Sequence, residues 1–183
     1  ANEGYAEYAV LFNGKSNSAP EKEDSNIETA IFAAGCFWGV ESAFKKMKGV
    51  LETTVGYTGG FTKDPTYKQV CAGVSGHAEA VEVTYNKNVI SYSDLVDYFW
   101  RIHNPTTPNR QGPDIGSQYR SAIFYHNPEQ RKAAELSKQK FDRSGAFNDK
   151  VVTEIVPVKS FYDAEDYHQD YYDKKGVAGC HYI

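Results

Sequence analysis

A chain of 183 residues suits a single domain with a substantial core, and 40% hydrophobic with 14% aromatic residues excludes a disordered chain. The formal net charge is -4 with no basic cluster, which argues against nucleic acid and against an anionic membrane surface as partners. The longest apolar run, around residues 30–40, is interrupted by Gly35 and falls short of the ~18 residues that cross a bilayer. Three cysteines cannot all pair with one another, so at least one thiol is free. No secretory leader is visible and the chain starts at Ala1 without a Met. The compartment therefore stays open: cytoplasmic or, with a leader or upstream domain removed, extracytoplasmic.

In chain order, residues 1–26 read as an N-terminal arm or linker, because "NGKSNSAPEKEDSNIE" at 13–28 is polar and punctuated by Gly and Pro. The packed domain is expected over 27–183. "TAIFAA" reads as a short buried strand, and after Cys36 the apolar positions Val40, Ala43, Phe44 and Met47 follow helical spacing up to Gly49. "VLETTVGY" places Leu51, Thr53 and Val55 on one side of a strand, and "EAVEVTY" places Glu79, Val81, Val83 and Tyr85 on one side of another. The Gly-rich segment between them is long enough to suggest a functional loop. "SYSDLVDYFWRIH" is a helix capped by Ser91 or Ser93, with Leu95, Val96, Phe99 and Ile102 on one face. A second long loop, "NPTTPNRQGPDIGSQ", leads into the strand "YRSAIFY". The helix that follows has Asn127 as N-cap, Pro128 at its first position and Gly145 as its stop. "VVTEIVPV" is a further strand, "DAEDYHQDYY" a short helix and "DKKGVAGCHYI" a flexible tail. This order predicts an α+β fold: a two-layer mixed sheet with helices packed on one side, a ferredoxin-like core and large functional loops.

Cys36 stands where the first strand pattern turns into a helix pattern. The unpaired N–H groups and positive end of a helix favour a thiolate there, which predicts a lowered thiol pKa and a nucleophilic sulfur. Gly35 and Gly39 permit a tight turn and close approach by a ligand, and Phe37 and Trp38 could wall an apolar pocket. On the residues alone, a small buried hydrophobe remains the competing reading of Cys36.

"GCFWG", "GYTGG", "PTYKQVCAG", "GHAEAVEV", "FWRIHNPT" and "GPDIGSQYRSAI", in this order between residues 35 and 123, resemble peptide methionine sulfoxide reductase of the A type. The resemblance implies reduction of the S epimer of free or protein-bound methionine sulfoxide, in repair of oxidised proteins, with Cys36 as nucleophile and Glu79 as catalytic acid. The alternation agrees for Glu79: it shares a face with Val81 and Val83, and a carboxyl on an apolar face tends to stay protonated. Tyr67 and Tyr119 match the tyrosines that hydrogen-bond the sulfoxide oxygen, Asp114 matches an acidic residue of the site, and Phe37 with Trp38 match the pocket for the S-methyl group. Cys180, in a tail with Gly176 and Gly179, matches a resolving thiol that condenses with the Cys36 sulfenic acid; Cys71 reads as structural. The expected reductant is external, thioredoxin-like or dithiothreitol, with no cofactor and no metal. A monomer is expected, and the linker-like 13–28 with the end soon after Cys180 fits one module of a fused reductase.

Two other classes compete. A Cys–His hydrolase would use His103 or His168 as base to Cys36 and have no use for Cys180. An aromatic-rich peptide-binding module would keep full binding after Cys36→Ser.

Overall fold

The computed structural model describes residues 24–179. The expected N-terminal arm, apart from its last few residues, and Cys180 lie outside the described residues. After a turn of 3-10 helix at Asp24–Asn26 come β1 (Ile27–Ala34), α1 (Phe37–Lys45), β2 (Val50–Thr58), α2 (Tyr67–Cys71), β3 (Ala78–Asn86) and α3 (Tyr92–Phe99). Then follow the short strands β4 (Arg110–Gln111) and β5 (Asp114–Ile115), β6 (Ser121–Tyr125), α4 (Pro128–Arg143), β7 (Glu154–Pro157), β8 (Phe161–Asp163) and α5 (Tyr171–Lys175).

The main sheet has six strands in the order β7-β6-β1-β3-β2-β8. Its middle, β6-β1-β3-β2, is antiparallel throughout, while β7 joins β6 in parallel. With α1 and α3 as its two crossovers, this is the expected ferredoxin-like βαββαβ core in an α+β fold. One face carries Phe32, Val55, Val81, Val83 and Ile123, buried under α1, α3 and α4 through Val40, Phe44, Leu95, Phe99 and Ala134. The other face is lined by small residues, Ala33, Ala78, Ala80 and Ala122, with Ile31 and Phe124, and packs against Val156, Val158 and Phe161. Burial on both faces explains why the first four residues of β3 are all buried instead of alternating.

Several elements form where their caps predict. Ser91 and Asp94 make a reciprocal capping box on α3, and Asn127 with Pro128 opens α4. Others differ. Leu51 is 56% exposed, because a bulge between Val50 and Glu52 breaks the expected alternation at the start of β2. The first helix stops at Lys45, with Gly49 in a separate left-handed turn, so Met47 packs on the core from outside it. The first long loop contains α2, started by a capping box between Thr66 and Gln69, a Thr-x-x-Gln signal present in the sequence. The second contains the β4–β5 pair. The short helix expected over 163–172 is replaced by the end of β8, a 3-10 turn at Asp166–His168, and α5 only from Tyr171.

Candidate active site

β1 enters the core and turns sharply at Gly35, whose φ of +94° is a conformation that L side chains rarely adopt. A Cβ at Gly35 would lie 2.8 Å from the Gln111 side chain, which packs directly against the turn. Gln111 is fixed by accepting the Asn104 backbone N–H at 3.0 Å and donating to the Asn104 carbonyl, so the β4–β5 loop is braced on the strand-to-helix turn. Cys36 is therefore the N-cap residue of α1, and its carbonyl accepts the N–H groups of Gly39 and Val40.

The first residue of α1 has an N–H without a helical partner, and Glu79 supplies one: Phe37 N donates to Glu79 Oε2 at 3.0 Å. Glu79 sits on β3 opposite Tyr57 of β2, only 1% exposed. Burial pushes its carboxyl up to about 8, although the Phe37 N–H works the other way and Asp114 adds to the rise. The acid is therefore protonated at neutral pH. The expectation from alternation, that Glu79 shares a buried face with Val81 and Val83, agrees with this geometry.

The thiol differs from the expectation. Cys36 is pushed up to about 12, chiefly by burial and then by the neighbouring Glu79 and Asp114 carboxylates, while the Trp38 and Gly39 N–H groups pull it down by less. The helix start does act in the predicted direction, but desolvation outweighs it.

Tyr67 on α2 and Tyr119 at the end of a 3-10 turn converge on the same corner, close enough to Glu79 and to each other for charge on one to act on the next. Burial holds both phenols well above their ordinary range, so both stay O–H donors. Tyr67 hydrogen-bonds Cys71, which is exposed. Arg120 ties Tyr119's turn to the β3 entry loop by donating to the Ser117 and Gly76 carbonyls. Asp114, on β5, is raised by burial and faces Cys36 and Glu79. Phe37 is 1% exposed and forms the floor, while Trp38 is half-buried beside the thiol. The structure thus brings Cys36, Glu79, Phe37, Trp38, Tyr67, Asp114 and Tyr119 together, and Cys180 falls outside the described residues.

Both histidines of the hydrolase reading are engaged elsewhere. His103 bonds the Phe99 carbonyl at 2.8 Å and Ser121 Oγ at 2.7 Å, and His168 Nδ1 accepts the Trp38 indole N–H at 3.0 Å. Among the described residues, no group of three or more His, Cys, Asp or Glu could hold a metal ion. Sequence reasoning read 163–172 as a short helix but foresaw none of the contacts by which the segment 164–173 closes over α1. There Gln169 pairs with both backbone groups of Val55, Asp170 N donates to Glu41, and Tyr171 stacks on Trp38 at 3.7 Å. No periodicity or spacing marks these contacts, because their partners lie more than a hundred residues upstream.

A family model for peptide methionine sulfoxide reductase matches residues 28–183. The peptide methionine sulfoxide reductase MsrA of Methanosarcina acetivorans is 58% identical over 156 residues, covering 85% of this chain and 83% of the relative. The crystal structure of reduced Mxr1 from Saccharomyces cerevisiae superposes with a TM-score of 0.80 at 39% identity, covering 87% of this chain and 93% of that one. Mxr1 in complex with Trx2 superposes with a TM-score of 0.59 at 29% identity, over 87% and 91% of the two chains. Matched over most of its length by family, relative and structure, the chain belongs to the peptide methionine sulfoxide reductase family.

Proposed function

We propose that the protein reduces the S epimer of methionine sulfoxide, free or within a peptide, to methionine, using Cys36 as nucleophile and Glu79 as acid. The observation that carries this reading is the pairing, at one helix start, of a half-buried thiol with a carboxyl kept protonated up to about 8. Attack on a sulfoxide sulfur needs a sulfur nucleophile and a proton for the departing oxygen, and these two groups supply them.

Because Cys36 rests as a thiol, the two proton transfers are coupled. Glu79 gives its proton to the sulfoxide oxygen while the Cys36 sulfur attacks the sulfoxide sulfur, and the thiol proton replaces the one Glu79 gave up. Collapse moves the hydroxyl from the substrate sulfur to the Cys36 sulfur: the substrate S–O bond and the S–S bond formed in the attack both break as the Cys36 S–O bond forms, leaving Cys36 oxidised to a sulfenic acid and the substrate reduced to methionine. Tyr67 and Tyr119, both neutral O–H donors, hold the oxygen; Asp114 organises the polar side of the pocket. Phe37 and Trp38 take the S-methyl group by apolar contact, which disfavours charged or bulky S-substituents.

Cys180 then condenses with the sulfenic acid, giving a disulfide and water. A thioredoxin-like dithiol reduces that disulfide. The Trx2 complex of the similar yeast protein supports this choice of reductant.

Separate S and R epimers given to wild type, Cys36→Ser and Cys180→Ser, first with dithiothreitol and then with thioredoxin, test every step. Only the S epimer should react, Cys36→Ser should be inactive, and Cys180→Ser should complete one turnover but fail with thioredoxin. Turnover that survives loss of Cys36 would overturn the reading.

A further inference from the structure

Trp38 stands next to the nucleophile and is held in two ways. Its indole lies flat on Tyr171, 3.7 Å away at an interplanar angle of 5°, and its Nε1–H donates to His168 Nδ1 at 3.0 Å. An indole has one hydrogen-bonding group, a donor, so His168 fixes the rotation that stacking alone leaves free.

His168 is 1% exposed and packed among rings: Tyr167 at 4.2 Å, Tyr67 at 4.4 Å and Phe37 at 5.1 Å between centroids. Accepting at Nδ1 puts the ring proton on Nε2, a buried atom with no hydrogen-bond partner among the described residues. The Glu165 carboxylate is 3.8 Å from it, beyond hydrogen-bond distance. A phenylalanine would fill this ring-lined slot without burying an unpaired N–H. What the imidazole adds is the acceptor for Trp38.

We propose that His168 is a positioning residue that holds the Trp38 indole as the wall of the substrate's methyl pocket, so that the pocket keeps its shape only while the imidazole is neutral. This rests on the reading of Cys36 and Trp38 given above. Protonation turns Nδ1 into a donor facing a donor, and the contact with the indole is lost. The groups facing the ring are Glu165 and Tyr167 from its own turn, Tyr67 from α2, and Phe37 and Trp38 from α1. Burial keeps the imidazole below its ordinary range, the Glu165 carboxylate opposes that, and both phenols stay neutral.

The chain has two tryptophans, so Trp100→Phe leaves Trp38 as the sole tryptophan, excited selectively at the red edge where the 14 tyrosines do not absorb. Trp100 bonds Ser137 and packs on Phe141, away from the thiol. In that background and below pH 7, Trp38 emission should titrate with one midpoint below about 6.5, and over the same range should be flat in H168F and in H168N. KM and kcat for methionine S-sulfoxide give the second readout. H168F should raise KM about tenfold at pH 7.5 with kcat little changed, the loss of one hydrogen bond. H168N, whose amide oxygen lies near the position of Nδ1, should keep KM close to wild type and remove its rise at acid pH. In a W38F background, H168F should add nothing. A wild-type KM in H168F, or a flat emission profile in the Trp100→Phe protein, would overturn the proposal. If H168F does not fold, H168N and the emission titration decide. If wild type reduces no sulfoxide, the functional reading fails and the emission titration alone judges the hold on Trp38.

Discussion

Glu79 and Cys36 share a corner in which any negative charge is opposed by burial; a charged Glu79 adds to the cost of ionising Cys36, and Asp114 adds to that of Glu79. For Glu79 the folded pKa, about 8, lies above its ordinary 4.5. Its contribution to stability is therefore complete below pH 4.5 and is lost as pH rises through about 8. Glu79→Gln keeps an acceptor for the Phe37 N–H without that charge. It should match wild type near pH 4.5 and exceed it at pH 9 by a few kcal/mol, on the order of 5–10 °C in Tm. Its sulfoxide reduction should nevertheless fall by at least about a hundredfold, since the proton donor is gone. Calorimetry at the two pH values and a steady-state assay check both halves. Alkylation of Cys36 by iodoacetamide, followed by mass spectrometry, should keep accelerating from pH 7 past pH 10; a plateau near 7 would mean a preformed thiolate. The sequence reading of a lowered thiol pKa went astray for a definite reason. Helix N-terminal N–H groups are local to Cys36 in sequence, whereas the groups that desolvate and oppose its charge, such as Glu79 and Asp114, come from 43 and 78 residues further on.

Elements were legible where their determinants are local. The caps at Ser91 and Asn127, the buried strand β1 and the face carrying Glu79 all depend on neighbours within a few residues. The resemblance named the site residues one by one, and those within the described residues lie in one corner, while Cys180 falls outside them. The closing segment was not: the Gln169 carboxamide accepts from Val55 N, and donates to the Val55 and Ala164 carbonyls, each at 2.9 Å, imitating a strand where no strand pattern exists. Gln169→Ala removes all three bonds and should destabilise by about 2–4 kcal/mol. Thermal unfolding measures that loss, and faster exchange of the Val55 amide locates it. At the strand-to-helix turn, Gly35→Ala combines a left-handed φ with contact against Gln111, so it should lower Tm by several degrees and kcat/KM by about tenfold or more. An unchanged kcat/KM would show that the turn does not set the position of the thiol.

Across the whole molecule, the outer side of β2 is covered among the described residues by β8, through the pairs of Gly56, Tyr57 and Thr58 with Asp163, Tyr162 and Phe161, and by Ala164 and Gln169 at Val55. A chain stopped after Ser160 should expose that edge and self-associate, which light scattering at micromolar concentration would detect. The bond between Trp38 and His168 spans 130 residues, and the one between Val55 and Gln169 spans 114. During translation, then, the thiol and its helix emerge early and wait while most of the polypeptide is made. Until residue 171 has left the ribosome, the nascent protein has a nucleophile without a finished pocket and a strand without its outer neighbour. Chaperones would meet this protein chiefly in that interval, and a pause in synthesis late in the message would prolong it.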